Sequence, residues 1–414
     1  MRILIVNIFF EPSTFGGATI VTEQMASELH KQGHVVSTVS ARFHPVNATS
    51  IVRHQSKYGF ESWSIGLAHA SSNDAPTRLA NPNFDAAFER ILNHFRPDVV
   101  HAHCVQEIGA SFFDILVTRK IPFAVTVHDF WWICERQFMI TPAGAYCGQR
   151  TIDYAVCAQC SSSRAHTENR AAYLKAQLAK ASLILTPSEF ARGMLIDNGF
   201  AADHVRVNKN GVPKPGPDYR RRAADGKVRL GFVGGPGAIK GWPLLLEALR
   251  RIPHDRIRVV AFDAGARIGA PWRTEMETSA AGLPVEVAEA YGAENLDRVF
   301  GDLDAIICPS RWKETFGLTV REALIRGLWA IASDAGGLAE DIVDGVNGRV
   351  LPFPPTVEDI AVALTELLAQ PTPPVFEAKH VTDVRQQAAD LADKLWEIAQ
   401  GPSRSAPSLE KELS

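Results

Sequence analysis

Short apolar runs alternate with helix-like segments along nearly the whole chain, and this alternation restricts the fold more than any other feature. Strand-like runs occur at "RILIVNI", "PDVVHAH", "ASLILTPS", "VRLGFVG" and "DAIICPS", and amphipathic segments lie between most of them. Runs that are apolar throughout predict strands that are buried on both faces of a parallel sheet. Strands that alternate with helices predict doubly wound layers, so the fold class is α/β.

A segment rich in proline, glycine and charge divides this pattern into two halves. It reads "NKNGVPKPGPDYRRRAADGK", and a fresh strand follows it. A chain of 414 residues is long enough for two domains of roughly 200 residues each. We therefore predict a first domain over residues 1–207, a linker over 208–227 and a second domain over 228–383. A last helix over 384–400 and a loose polar tail over 401–414 complete the chain.

One long segment of the first half shows no clear period. Residues 41–82 carry scattered aromatic residues and an Asn-Pro pair. A long irregular segment inside a compact domain is usually a functional loop or a disordered one. We predict irregular structure there.

Composition and the first residues bear on partners and location. The net charge of −3 gives no basis for nucleic-acid binding, and no apolar run approaches the ~18 residues of a membrane span. The opening "MRILIVNIFF" is interrupted by Glu11-Pro12 and lacks a small-residue cleavage site, so it predicts a first strand and not a signal peptide. We expect a cytoplasmic protein with reduced thiols, and we leave open a peripheral contact with the inner face of the membrane.

The stretch "CPSRWKETFGLTVREALIRG" places Glu314 and Glu322 seven residues apart. The run before it predicts a buried strand and the run after it a helix with Val320 and Leu324 on one face, so Glu314 lies in a loop and Gly317 near the helix start. Unpaired N–H groups at a helix start favour an anion, and ligands bind beyond the carboxyl ends of parallel strands. The pattern indicates an anionic ligand flanked by two carboxylates that accept from hydroxyls, as in a nucleotide sugar. Two solvated surface glutamates are the alternative.

Glycine-rich loops follow three of the predicted strands. They contain Gly16-Gly17, the segment "GGPGAIKG" with Lys240, and Gly336-Gly337. None is a dinucleotide fingerprint or a P-loop. Lys240 precedes a helix, where its ammonium would meet a phosphate as a point charge; a surface lysine and simple loops are the alternatives. Three such loops at strand ends favour a ligand cleft.

Histidines also gather at predicted strand ends. His128-Asp129 follow a strand and precede two tryptophans, which predicts a ligand-facing histidine with an aromatic wall or, alternatively, a core histidine. His101 and His103 lie on one strand face, where a structural role is the simpler interpretation. Asp302-x-Asp304 is not predicted to bind a metal-linked diphosphate, because these acids precede their strand and lie at the wrong end of the sheet.

Four cysteines stand within a short stretch of the first half: Cys134, Cys147, Cys157 and Cys160, called the cysteine cluster below. Four thiolates can close a tetrahedral zinc site, and reduced thiols argue against disulfides. A structural zinc is one prediction; unliganded cysteines and a redox pair at the C-x-x-C are the others.

The stretch "PSRWKETFGLTVREA" resembles the donor-site motif of retaining glycosyltransferases of family four, which adopt the GT-B fold. The resemblance extends over most of the chain, through the first glycine loop, His128-Asp129, the "NGV" segment from Asn210 to Val212 and Lys240-Gly241. It implies two Rossmann-like domains that face a central cleft, of which the first binds the acceptor and the second the nucleotide sugar, and a last helix that packs back across the domains. It also implies a nucleoside-diphosphate sugar donor, a saccharide or lipid-linked acceptor, and no cofactor for catalysis.

The residue roles implied by the resemblance all concern the donor and the reacting sugar. Glu314 contacts sugar hydroxyls, Glu322 holds the ribose, Lys240 neutralises the diphosphate, His128 lies beside the reacting sugar, and Gly17 with the backbone of Phe316, Gly317 and Leu318 meets the donor. The chain departs from the family at Gly235, where an arginine is usual. Arg311 or Lys313 is a candidate replacement for that cation.

We therefore expect a retaining, metal-independent glycosyltransferase, acting in bacterial surface polysaccharide synthesis. The first competing interpretation is a catalytically weak scaffold that binds nucleotide sugars, which the loss of a cation at Gly235 motivates. The second is a sugar-nucleotide epimerase of the same fold. The sequence identifies neither the base, the sugar nor the acceptor.

Overall fold

The computed structural model describes residues 1–14, 16–44, 49–68, 76–161, 163–370, 376 and 380–401. Its strands are β1 (Arg2–Val6), β2 (Val35–His44), β3 (Ser50–Gln55), β4 (Glu61–Ala68), β5 (Val99–Ala102), β6 (Phe123–Thr126), β7 (Leu183–Thr186), β8 (Val205–Val207), β9 (Val228–Val233), β10 (Ile257–Asp263), β11 (Val285–Glu289), β12 (Ala305–Cys308), β13 (Trp329–Ser333) and β14 (Gly348–Leu351). Its α-helices are α1 (Gly16–Lys31), α2 (Pro82–Phe95), α3 (Phe112–Thr118), α4 (Tyr154–Cys157), α5 (Arg164–Leu178), α6 (Glu189–Asp197), α7 (Trp242–Leu249), α8 (Arg273–Ser279), α9 (Leu296–Gly301), α10 (Leu318–Leu324), α11 (Val357–Ala369) and α12 (Val384–Gln400). Short 3-10 turns cover Pro76–Arg78, Ala238–Lys240 and Ala264–Ile268.

Within the described residues, eight strands of the first half form one sheet in the order β3-β4-β2-β1-β5-β6-β7-β8. All neighbours are parallel except β3 and β4. The central strands β1, β5 and β6 are buried at nearly every position, because helices cover both faces of the sheet. Their continuous apolar runs follow from this burial, and the predicted α/β fold is confirmed.

The prediction of irregular structure over residues 41–82 is wrong for much of this segment. Strand β2 continues to His44, and β3 and β4 form an antiparallel pair at the sheet edge; residues 45–48 and 69–75 lie outside the described residues. The period was not visible because β4 buries Ser62 and Ser64 alongside Trp63 and Ile65. Polar residues on a buried strand hide the apolar run that marks the other strands.

The second half forms a separate sheet in the order β11-β10-β9-β12-β13-β14, with every described pair parallel. Because parallel strands end at the same edge, the loops after β9, β12 and β13 lie side by side. These loops carry Lys240, Glu314 and the Gly336-Gly337 pair. This edge faces the first sheet's loops, since Ser188 after β7 bonds the backbone of the loop after β12.

The last helix packs on the first half. Leu391 and Leu395 of α12 are fully buried in one apolar cluster with Ile3, Ile5 and Met25. The helix begins at a capping box in which the Asp383 side chain accepts from the N–H of Gln386, which fixes its first turn. Among the described residues, no helix is long and apolar enough to cross a membrane.

Candidate active site

The loop between β12 and α10, called the donor loop below, is hydrogen-bonded to the glycine loop after β13. This second loop contains Gly336-Gly337 and is called the third glycine loop. The N–H of Glu314 donates to the carbonyl of Ala335 at 2.9 Å, and the N–H of Gly337 donates back to the carbonyl of Glu314 at 2.8 Å. A Cβ at Gly337 would lie 2.2 Å from the Thr315 carbonyl oxygen. A glycine is therefore needed here because the two backbones approach so closely. The third glycine loop supports the donor loop.

Lys240 and Glu314 meet at the centre of the cleft. The Lys240 ammonium donates to Glu314 Oε1 at 2.9 Å, and the Ser310 hydroxyl donates to the same oxygen at 2.7 Å. Both ionic side chains are largely covered, with 32% and 16% of their side-chain surfaces exposed. The ammonium also lies 5.2 Å from the ring centroid of Trp312, close enough for a cation–π contact. The predicted diphosphate cation and the predicted sugar-binding acid thus form one ion pair.

A buried arginine that sequence reasoning did not single out fixes the backbone around this pair. Arg321 of α10 is 0% exposed. It donates from Nε to Asp341 at 2.6 Å, from Nη1 to the carbonyl of Leu338 at 2.8 Å and from Nη2 to the carbonyl of Gly337 at 2.7 Å. Its guanidinium lies 4.1 Å from the centroid of Phe316. It ties α10 to the third glycine loop.

Phe316, Gly317 and Leu318 lead into α10 as predicted, but the glycine has a different reason. A Cβ at Gly317 would lie 2.4 Å from Leu338 Cδ1, so packing already excludes a side chain there. Gly317 caps the helix without a side-chain acceptor, which leaves N–H groups of the first turn for another partner. Leu318 reaches the other half of the protein, since its Cδ1 lies 3.2 Å from the Cβ position of Gly17.

Glu322 lies one helical turn further on and faces Tyr291, which follows β11. The Tyr291 hydroxyl donates to Glu322 Oε2 at 3.2 Å. Burial raises the pKa of the Glu322 carboxyl, although the tyrosine hydrogen bond and Arg326 act in the opposite direction. An acid held in such a place accepts well from hydroxyls when it is ionised. Tyr291 was not predicted, because its partner is distant in sequence.

The donor loop also bonds directly to His128 of the first half. The Thr315 hydroxyl donates to the His128 carbonyl at 2.6 Å, and the Ser188 hydroxyl donates to the Thr315 carbonyl at 2.6 Å. Two hydrogen bonds thus join the loop that carries Glu314 to the loops after β6 and β7. The structure brings His128, Gly17, Lys240 and Glu314 to one cleft.

His128 is the outer member of a row of buried histidines. His103 Nδ1 and His128 Nε2 lie 2.8 Å apart, and the ring centroids of His101 and His103 lie 4.1 Å apart. Burial lowers the pKa of His101 to about 3, that of His128 to about 4, and that of His103 well below its usual range. All three rings are therefore neutral at pH 7, and the tautomers of His103 and His128 are coupled, because only one of the two facing nitrogens can carry a proton.

Two neighbours of His128 do not have the predicted role. Trp131 and Trp132 are buried in the core of the first half, at 3% and 4% exposure, and form no wall of the cleft. Asp129 is buried too, and accepts from Gln106 and Gln137 at 2.7 Å each. The tryptophan beside the site is Trp312, and the sequence signal for it was its place next to Arg311 and Lys313 in the donor loop.

The position of the missing arginine is filled by an aromatic ring. Gly235 has φ +71°, and a Cβ there would lie 2.7 Å from two ring atoms of Trp272. A longer side chain at this position would need both a strained backbone and a displaced tryptophan. Trp272 therefore occupies the space that a side chain at Gly235 would need. Arg311 and Lys313 lie in the neighbouring loop and line a cavity with Ala238 and Ile239.

Of the two acids that precede β12, Asp302 and Asp304, only one is buried. Asp304 is only 7% exposed and accepts from Arg222 at 2.7 Å and from the Arg229 N–H at 2.9 Å. Asp302 is exposed. Both precede β12 and so lie at the opposite end of the sheet from Lys240, as expected.

The cysteine cluster lines a single cavity of about 430 Å³ in the segment between β6 and α5. All four thiols are free and half-buried, and burial raises the pKa of Cys134 to about 11. Among the described residues no group of three or more histidine, cysteine or acidic side chains is arranged to hold a metal ion. A zinc ion would require the thiols to turn toward one another, and structural zinc stays a prediction.

Comparisons with known proteins agree with this arrangement. The family model described as Glycosyltransferase Family 4 matches residues 15–214, and the model described as Glycosyl transferases group 1 matches residues 220–389. The sulfoquinovosyl transferase SQD2 of Arabidopsis thaliana is 25% identical over 293 residues, which are 67% of this chain but only 51% of that protein. An uncharacterised 42.6 kDa protein in the cps region of Klebsiella pneumoniae is 23% identical over 370 residues, 87% of this chain and 91% of that one.

Solved structures show the same fold. The sucrose-phosphate synthase of Thermosynechococcus elongatus superposes with a TM-score of 0.63 at 18% identity, over 96% of both chains. The Anabaena protein HepE, solved in complex with UDP and glucose, superposes with a TM-score of 0.63 at 14% identity, over 96% of this chain and 99% of that one. With the two family models matching in sequence along most of the chain, the protein belongs to the family-four type of glycosyltransferases of the GT-B fold.

Proposed function

We propose that this glycosyltransferase moves a sugar from a nucleoside-diphosphate sugar to a saccharide or lipid-linked acceptor, with retention at the anomeric carbon and without a catalytic metal ion. We further propose that it works in the cytoplasm, in the synthesis of a bacterial surface polysaccharide. The cps-region relative of similar length supports this setting.

The Lys240–Glu314 ion pair is the observation that carries the proposal. In the structure the two charges neutralise each other at 2.9 Å. A bound donor would separate the two side chains. The ammonium would turn to the diphosphate, and the carboxylate would accept from hydroxyls of the transferred sugar. Negative charge on the diphosphate grows as the glycosidic bond breaks, so a fixed cation stabilises the transition state more than the bound donor.

The remainder of the site fits the two ends of such a donor. Glu322, oriented by Tyr291, would hold the ribose hydroxyls, and the free N–H groups at the start of α10 would add to the phosphate site. UDP in the HepE structure supports a nucleoside diphosphate as the ligand. His128 would lie beside the reacting sugar. Retention and metal independence rest on the family resemblance.

The test is a panel of nucleotide sugars with UDP, ADP and GDP as bases, in which nucleotide release is followed with and without candidate acceptors. Release that depends on an acceptor supports a transferase. Binding without release supports the scaffold interpretation, and conversion of the sugar while it stays on the nucleotide supports an epimerase. The anomeric configuration of the product, read by NMR, decides between retention and inversion.

Lys240→Ala should lower the transfer rate about 100-fold, by analogy with removal of one preorganised donor, and should weaken donor binding much less. Lys227→Ala is the matched control, since Lys227 precedes β9 at the far end of the sheet. A chelator that leaves any structural zinc in place should not change turnover. Activity that vanishes on mild chelation and returns with magnesium or manganese would refute the metal-free mechanism.

A further inference from the structure

A second cavity, of about 840 Å³, opens between the two halves next to the Lys240–Glu314 pair. One wall is the segment from Ala143 to Arg150, which lies between Cys134 and Cys157 of the cysteine cluster, together with Phe190 and Met194 of α6. The opposite wall comes from the loops after β9, β12, β13 and β14 of the second half. Tyr146 packs edge-on against Phe353 at 5.8 Å between ring centroids, so the two walls are in contact at one end.

Three cations and one acid line this cavity: Arg150, Arg311, Lys313 and Asp334. Arg150 also pairs with Asp197 at 2.5 Å. The guanidinium of Arg311 is exposed and pairs with no acidic side chain in the part of the chain that the structure describes. The lining therefore carries an excess of positive charge, which attracts anions.

Lys313 is the cation most confined by its surroundings. Its ammonium donates to the carbonyl of Asp334 and lies 4.1 Å from the ring centroid of Phe353. Burial lowers the pKa of Lys313, and Arg150 across the cavity lowers it further, against the opposing effect of Asp334. Two cations that repel each other in a partly dry cavity are both stabilised when an anion lies between them.

The position of the cavity separates it from the nucleotide end of the donor. Tyr291, the partner of Glu322, follows β11 at one edge of the second sheet. Asp334 and Phe353 follow β13 and β14 at the other edge. A donor with its ribose at Glu322 and its sugar at Glu314 ends where the cavity begins, so the cavity lies on the acceptor's side of the reacting sugar.

We propose that this cavity binds an anionic group of the acceptor, such as a phosphate or diphosphate, through Arg150, Arg311 and Lys313. The inference rests on the proposed function and adds the chemical class of the acceptor to it. Guanidinium forks and an ammonium suit phosphate oxygens, and Tyr146 with Phe353 offers an apolar surface beside them. The acceptor would thus be a sugar phosphate or a saccharide linked through a phosphate, and not a neutral sugar.

Calorimetric titration with inorganic phosphate tests the site directly, in the full-length protein saturated with the nucleoside diphosphate that binds best in the panel. Phosphate binding should persist in the presence of the nucleotide. Arg150→Gln, Arg311→Gln and Lys313→Gln should each weaken it about tenfold, as expected for one charged hydrogen bond. Arg258→Gln is the control, because Arg258 lies near the start of β10, away from the cleft, and pairs with Glu286.

A kinetic arm distinguishes the acceptor from the donor as the source of the anion. Sugar phosphates should have lower KM values as acceptors than the matching neutral methyl glycosides, and Arg150→Gln should remove this difference with little change in kcat. If the nucleotide displaces phosphate, or if Arg311→Gln weakens nucleotide binding itself, the cations serve the donor diphosphate and the inference is wrong. Absence of phosphate binding in a protein that still binds nucleotide overturns it as well. A protein that binds no nucleotide at all refutes the proposed function instead.

Discussion

Replacing Arg321 by methionine should destabilise the second domain by about 3 kcal/mol, the lower end of the cost of breaking a buried ion pair. Methionine fills much of the buried space that the Arg321 side chain occupies, but it carries no hydrogen-bond donor. The variant therefore removes the hydrogen bonds to Asp341, Leu338 and Gly337, and a longer one of 3.4 Å to the carbonyl of Gly317, while it leaves the apolar packing largely in place. The substitution therefore perturbs mainly the hydrogen bonds that tie α10 to the third glycine loop.

The magnitude depends on what happens to Asp341 when its partner is gone. Asp341 is 3% exposed, and an unpaired carboxylate there would be costly. The carboxylate keeps a second partner, because the ammonium of Lys209 donates to its other oxygen. The carbonyls of Gly317, Gly337 and Leu338 lose a charged donor each, and Phe316 loses its cation–π contact. The residual pairing of Asp341 is the reason for the lower end of the range.

Urea unfolding followed by tryptophan fluorescence measures the effect, fitted with a transition for each domain because two domains need not unfold together. A loss of about 3 kcal/mol at a slope of about 3 kcal/mol per molar urea shifts the midpoint of one transition by about 1 M. Arg349→Met is the matched control: this arginine is 39% exposed and pairs with Asp344 and Glu366 on the surface of the same domain. Its loss should cost less than about 1 kcal/mol.

Equal shifts for the two methionine variants would refute the reasoning, since burial is the feature that separates them. Nucleotide binding gives a second measurement. Because Arg321 packs on the ring of Phe316 and holds the backbone of the third glycine loop, its loss should weaken binding together with stability. Full stability with lost nucleotide binding would mean that Arg321 contacts the ligand and does not merely position the loop.

Three more predictions concern groups of the cleft and its wall. His103→Asn should lower the transfer rate about tenfold, since one hydrogen bond to His128 is lost, and should leave the donor KM unchanged. His101→Asn, which removes a hydrogen bond to Thr126, is the control. Equal effects of the two variants would contradict a role of His103 in positioning His128. Nucleotide affinity should fall as the pH drops through the raised pKa of Glu322, because only the ionised carboxylate accepts from both ribose hydroxyls. Glu322→Gln should bind nucleotide more weakly at neutral pH and lose this pH dependence. If the affinity of the variant still fell with pH, another group would be responsible. Elemental analysis should find about one zinc per chain if the cysteine cluster closes one site, whereas four freely titrating thiols without metal would exclude it.

The sequence predicted those parts of the fold in which burial leaves a continuous signal. Strands such as β1 and β12 are apolar at successive positions because helices cover both faces. Strands β3 and β4 were not predicted, because β3 is largely exposed and β4 buries serines. The short strand β14 was missed too: Gly348 and Arg349 at its start resemble a loop.

The candidate site divides in the same way. Glu314 and Glu322 could be proposed from the sequence because their spacing is local, and Lys240 because it stands between a glycine loop and a helix. Tyr291, Thr315 and His103 depend on partners 31, 187 and 25 residues away, and no local pattern records such distances. Arg321 was inside the motif and still missed, since a helical arginine is usually solvated and only the tertiary structure shows that its surroundings are closed.

The donor loop joins two tasks that a transferase must coordinate. Glu314 in this loop is paired with Lys240, the cation proposed for the diphosphate, and the next residue, Thr315, donates to the backbone carbonyl of His128 in the other half. Because these residues are adjacent, any shift of the loop that frees Glu314 from Lys240 also acts on the bond to His128. A charged pair this well covered would be costly to leave unmatched, so on the proposed function Lys240 would exchange Glu314 directly for the donor diphosphate. The same adjacency would then link donor binding to the position of His128 through a single peptide unit.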